Sequence, residues 1–283
     1  MHNQGKRIVV NETEALHTAA RRYCFVRCDA IYDDPAFSTG QRLWGSHRVR
    51  LLQSICTDVE SVLSETFASP PAMRDYLLLA GQTATIPAAM LSFPYRSPKP
   101  DQAIDDEREC YTSFIENLTP TELVHVEPLP FHYRLDGEAS KRTWDMLTRR
   151  WGAESGHYWY PLIPVTVASS EIVALQEDWF RVAVSDDAIR DVLSRRGITH
   201  VWELHESGTV SEIDLAWLEP EYAGYLGERY WTAGDMDWLL YASHESSITI
   251  AGAWLIAAIK ETWPDWHTQI YTGWEYERPP TDA

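Results

Sequence analysis

The sequence has none of the short motifs that tie a chain to a known chemistry. No GxxxxGK[ST] phosphate loop, GxGxxG turn, HExxH helix, GxSxG elbow or EF-hand loop occurs in its 283 residues, so the nucleotide, metalloprotease and serine-hydrolase chemistries that these signals carry have no support in it. Basic residues are scarce. With 24 Lys+Arg against 42 Asp+Glu the formal charge is −18, which argues against a general binder of nucleic acid or anionic membrane, because phosphate attraction needs a basic face. Long apolar runs are missing as well: the best, residues 248–259, is about a dozen residues, against the ~18 needed to span a bilayer. The apolar stretch at residues 8–10 is shorter than a signal-peptide core of ~7 to 15 residues, so the chain is expected in the cytoplasm, without a membrane span. With only 14 Gly and 16 Pro, 45% hydrophobic and 23% charged residues, a collagen-like, low-complexity or largely disordered chain is excluded.

Cysteine is sparse too. Cys24, Cys28, Cys56 and Cys110 all fall in the first 110 residues, and a zinc site would want a second close pair or a His pair beside the CxxxC of Cys24 and Cys28. Four residues apart on a helix, those two share a face, as buried reduced thiols do.

What the chain has in excess is Trp and Tyr, 13 and 14 against 7 Phe; rings with a polar handle suit half-buried and interface positions. The length allows one large domain or two. Split after residue 150, residues 1–150 carry 17 Lys+Arg and 20 Asp+Glu, a net of −3, and residues 151–283 carry 7 and 22, a net of −15. Eleven of the tryptophans also lie after residue 150. A like-charge surplus repels itself, so its concentration in one region asks for a use.

Periodicity predicts a mainly helical N-terminal half. Helices are expected over 14–30, 48–67, 72–80, 105–117 and 141–150, with the Ser-Pro-Pro of residues 69–71 ending the second, a loop over 94–101 and a strand over 123–126. A soft boundary is placed in the Gly-containing residues 151–156. Beyond it, strands are expected over 163–167, 180–184, 200–205, 212–217, 229–232, 238–243 and 247–251, and helices over 188–196 and 253–263, with 171–176 ambiguous. Short connections between the later strands imply an antiparallel meander with the last helix across one face, an α+β arrangement.

Two His-Glu-Ser tripeptides, at residues 205–207 and 244–246, end predicted strands. In neighbouring antiparallel strands they bring His205 and His244 to one rim with Glu203 or Glu206, and Asp237, nearby, a set that fits a metal-dependent hydrolase; the competing reading is polar strand ends that satisfy free backbone groups. Ser243 with His244, or Ser246 with His205, lacks the third orienting group and oxyanion hole of a nucleophilic site. The acidic pairs at 33–34, 105–106 and 186–187 and the arginine pairs at 21–22, 149–150 and 195–196 fit helix starts and ends.

The acidic and aromatic surplus supplies the leading functional expectation. Trp202, Glu203, Glu206, Asp214, Trp217, Glu219, Tyr222, Glu228, Asp235 and Asp237 are expected to form a contact surface on which carboxylates attract a cationic partner and aromatic rings anchor it. The competing reading places the rings in the core, with the acids solvating the opposite strand faces.

The stretch 227–266, GERYWTAGDMDWLLYASHESSITIAGAWLIAAIKETWPDW, resembles uncharacterised bacterial proteins, some of them immunity proteins of toxin systems. That resemblance implies a cytoplasmic inhibitor that covers the active site of a cognate toxin. It transfers no binding residue and includes no cofactor. The expected function is thus a protein-binding inhibitor of a basic partner, with the metal-dependent hydrolase of His205 and His244 as the alternative and a scaffolding role as a third.

Overall fold

The computed structural model describes residues 11–33, 42–86, 100–165, 168, 170–222 and 227–273. The chain is α+β and divides into two compact units, Met1–Leu129 and Pro130–Ala283. The division falls ahead of the boundary expected at residues 151–156, because the helix before that stretch packs with the strands that follow it.

The first unit is helical: α1 (Glu12–Tyr32), α2 (Arg42–Glu60), α3 (Pro70–Thr83), α4 (Pro100–Asn117) and the single turn α5 (Pro120–Leu123). The Ser-Pro-Pro stretch begins α3 and does not serve to end α2. Ser69 is the N-cap, its side chain accepting from the Ala72 N–H, and the prolines occupy first-turn positions that need no donor. The strand expected over 123–126 is absent, because Thr119 and Glu122 form a reciprocal capping box that starts α5. Leu16, Leu52, Ile55, Leu77, Tyr111 and Ile115 fill the core between the helices. Glu107, fully buried, is held by Arg27 at 2.9 Å and Arg48 at 2.6 Å. Cys24 and Cys56 are buried, Cys28 is half-buried and Cys110 is exposed. A hydrogen bond to Cys24, together with burial, pushes the Cys56 thiol up, which keeps it protonated and unreactive.

The second unit is built on a seven-stranded antiparallel sheet in the order β1-β4-β3-β5-β6-β7-β2. Its strands are β1 (His132–Arg134), β2 (Ile172–Gln176), β3 (His200–His205), β4 (Val210–Asp214), β5 (Arg229–Thr232), β6 (Leu239–Ser243) and β7 (Ser247–Ala251). Among the described residues four α-helices accompany it: α6 (Gly137–Trp151), α7 (Glu177–Ala183), α8 (Asp186–Ser194) and α9 (Ala253–Thr262). The pairs β3–β4, β5–β6 and β6–β7 are hairpins, but the expected meander is broken where the longer connection after β4 returns the chain to the far side of β3, so that β5 pairs with β3; β1 and β2, first in sequence, take the two edges. Residues 180–184 are not a strand: after the acidic first turn of Glu177 and Asp178, Phe180 lies buried on α7 and Val184, also buried, is the residue that caps its C-terminal end. Of the strand expected over 163–167, residues 166 and 167 lie outside the described residues, as do residues 94–99 of the expected loop.

Every residue of β5, β6 and β7 is buried, so helices must cover both faces. Period-two alternation sends Trp231, Leu240, Ile248 and Ile250 to the face under α7, α8 and α9, where Phe180, Leu193, Leu255 and Ile259 meet them. The expected helix over 253–263 is α9 of this layer. Tyr230, Leu239 and Tyr241 point to the other face, under α6 and the segment after it, against Trp144, Trp151 and Trp159. Two of the buried indoles are wired into the backbone: Trp151 Nε1 donates to Met236 O and Trp159 Nε1 to Trp151 O, both at 3.0 Å.

Candidate functional site

Two carboxylate–imidazole networks form at the end of the sheet where His205 pairs with Arg229 and Arg229 with Ala242, on opposite faces. On the α7–α9 face, Glu203 of β3 accepts from His205 Nε2 at 3.0 Å, Trp231 Nε1 at 2.8 Å and Arg229 Nη1 at 3.3 Å. Burial pushes this carboxyl up, but the His205 hydrogen bond and charge, Arg229 and Trp231 outweigh it and hold the group at about 2. Glu203 is therefore an ionised internal brace.

On the α6 face, Glu228 immediately precedes β5 and is 1% exposed. Tyr241 donates to its Oε2, and Ser243 Oγ lies 3.4 Å from its Oε1. Burial pushes the Tyr241 phenol up, leaving it a neutral donor. His244, in the β6–β7 turn, sets Nδ1 at 2.5 Å from Glu228 Oε1 and Nε2 at 2.9 Å from Glu245 Oε1. With both nitrogens held against carboxylate oxygens, neither is open to a metal or to a substrate proton. The Tyr158 and Tyr222 rings lie beside it, at 5.1 and 6.3 Å between centroids.

His205 and His244 thus serve separate networks. Among the described residues no group of three or more His, Cys, Asp or Glu side chains is placed to hold a metal ion.

The ten residues expected to form one contact surface are dispersed. Glu228 and Glu203 are internal; Trp202, Trp217 and Tyr222 are half-buried, as are Glu206 and Asp214; Glu219, Asp235 and Asp237 are exposed. Trp231, Tyr230 and Trp238, which alternate with these acids, are fully buried. The tryptophan excess is thus largely a filling of the two layers around the sheet.

Three of the acids do share a location. The register pairs Trp202 with Thr232 and His200 with Asp214, which sets the end of β4 and the β5–β6 loop with Asp235 and Asp237 at the same end of the sheet. Burial and then the charge of Asp235 push the Asp237 carboxyl up, while the Trp254 N–H at 2.9 Å and Arg196 draw it back. Arg196 stacks over the Trp254 ring, 4.4 Å from its centre. Two repelling carboxylates stand exposed beside the Arg196–Trp254 stack, and an incoming cation would relieve their repulsion. The proximity of Asp235 to Asp237 was legible as a DxD spacing, but its position beside Trp254 was not.

No helix among the described residues is long and apolar enough to cross a membrane. No protein family, curated protein or solved structure matches this chain.

Proposed function

We propose that this chain acts by protein–protein contact, as an inhibitor of immunity type whose second unit meets a basic partner, most concretely a toxin. The observation that supports this reading is the exposed Asp235–Asp237 pair next to Trp254, set in a unit of 12 Lys+Arg and 25 Asp+Glu over residues 130–283. Carboxylates on a rim speed encounter with a cationic surface and select against acidic ones, and a neighbouring indole supplies the desolvated anchor. Asp214 and Glu219 extend the acidic surface. The internal Glu203 and Glu228 support the sheet that carries it.

The test is complex formation with the product of the neighbouring gene, and retention of partners from a lysate of the source cell, at low and at high salt. A basic protein retained by the wild-type chain, weakened by salt and lost in Asp235→Asn/Asp237→Asn supports the reading. Failure to retain any basic protein at low salt, or equal retention by the variant, overturns it.

A further inference from the structure

A cavity of about 720 Å³ opens in the second unit between α6, the β3–β4 turn and residues 154–155. One face of α6, carrying Ser140, Lys141, Trp144, Asp145 and Thr148 at spacings of three and four, forms its floor. The turn of Ser207, Gly208 and Thr209 closes one side. Gly208 has φ of +92°, and a Cβ there would stand 3.1 Å from Ser155 Oγ, so the turn and the Ser155 segment are in close approach.

The polar groups of this cavity have a definite sense. Three lining hydroxyls spend their protons on backbone carbonyls: Thr148 on Ala153 O at 2.7 Å, Ser155 on Glu206 O at 3.0 Å and Ser140 on Leu135 O at 3.4 Å. They offer lone pairs to whatever enters. Ser207 and Thr209 share one hydrogen bond at 2.9 Å, which leaves one hydroxyl proton to donate. Among the described residues, Lys141, Asp145 and Glu154 make no ion pair with their side chains. The indole of Trp144, 5% exposed, has an Nε1–H with no acceptor.

The charges on the wall cancel, Arg134 and Lys141 against Asp145 and Glu154, in a unit that is otherwise strongly acidic. A phosphate or a polyamine gains little from such a wall. A neutral ligand rich in hydroxyls fits it, since every hydroxyl both donates and accepts, and its C–H face packs on Leu135 and the edge of Trp144. We propose that this cavity is a binding site for a neutral polyhydroxylated ligand, a mono- or disaccharide. It is independent of the acidic surface at the β5–β6 loop.

The full chain, isotope-labelled, is titrated with glucose, galactose, N-acetylglucosamine, maltose and di-N-acetylchitobiose while amide and indole resonances are followed. The expected result is saturable shifts from at least one of these sugars in residues 140–148 and 207–209 and at the Trp144 indole N–H. Asp145→Asn and Glu154→Gln, both at exposed positions, each weaken that binding about tenfold, the loss of one hydrogen bond to a charged group, with the rest of the spectrum unchanged. Absence of saturable shifts with every sugar overturns the proposal. So does unchanged affinity in both variants, or stronger binding of inorganic phosphate or spermidine at the same resonances.

Discussion

Glu228 and His244 form the shortest carboxylate–imidazole contact among the described residues, with Nδ1 2.5 Å from a side chain that is 1% exposed. A buried carboxyl that loses a hydrogen-bond partner keeps its desolvation cost with less compensation. His244→Ala is therefore expected to lower unfolding free energy by about 2 kcal/mol, with Tyr241 and Ser243 left as donors to the carboxyl. Adding Glu228→Gln restores part of the loss, because the two sites are coupled. Urea unfolding of the single and double variants measures both effects; a change within about 0.5 kcal/mol in His244→Ala, the usual range of a surface substitution, would falsify the bracing role.

The Glu203 brace makes a pH signature. Its carboxyl sits at about 2 in the folded chain against an ordinary value of 4.5, so the unfolded chain binds the proton more readily. Its stabilisation is complete above the ordinary value, declines as pH falls toward about 2 and is gone below it. The amount is about 3 kcal/mol. Glu203→Gln is expected to flatten this part of the pH–stability curve, as read from urea midpoints in acid; an unaltered slope would contradict the network.

Glu177 has the opposite sign. Burial is the main cause that pushes its carboxyl up to about 7, against the Tyr222 N–H and Arg181, which pull it down. The folded chain therefore favours the protonated acid, and stability is lost as pH rises from 4.5 toward about 7. Glu177→Gln keeps an oxygen for the Tyr222 N–H and removes the buried charge. It should stabilise the protein above neutrality by up to about 3 kcal/mol and have little effect in mild acid. Thermal melts at the two pH values check this, and equal effects at both would count against it.

Gly252 joins β7 to α9 at φ of +102°, and a Cβ there would stand 2.6 Å from Asp237 O and 2.9 Å from Trp238 Cα. Backbone cannot yield as a side chain can. Gly252→Ala is expected to cost about 2 kcal/mol from strain and displacement and to shift the β5–β6 loop that carries Asp235 and Asp237. Gly137→Ala, with open space around the position, serves as the neutral comparison. Melting temperatures of the two variants decide it: equal values refute the constraint.

Much of the sheet was readable because its strands are short and sharply punctuated. Residues 200–205, 229–232 and 247–251 are strands with the expected bounds, each set off by Gly, Asp or Ser turns. Local apolar runs misled where chemistry beside them mattered more: the Thr119–Glu122 box made a helical turn of 120–123, and the acidic first turn of α7 made a helix around Phe180. The candidate site was less legible. Asp235 and Asp237 stand out as acids in any reading, yet Glu203 and Glu228 looked no different from them.

Composition and periodicity alone therefore determined an acidic α+β chain with its helices early, its strands late and its tryptophans concentrated with them, since these follow from residue type and local spacing. Tertiary structure decided the role of each charge. Strand register and the helices over both sheet faces buried Glu203 and Glu228 while leaving Asp235 and Asp237 in water, and the same packing drew His205 and His244 into separate networks. Burial and partner choice are properties of contacts between distant residues, and no local pattern contains them.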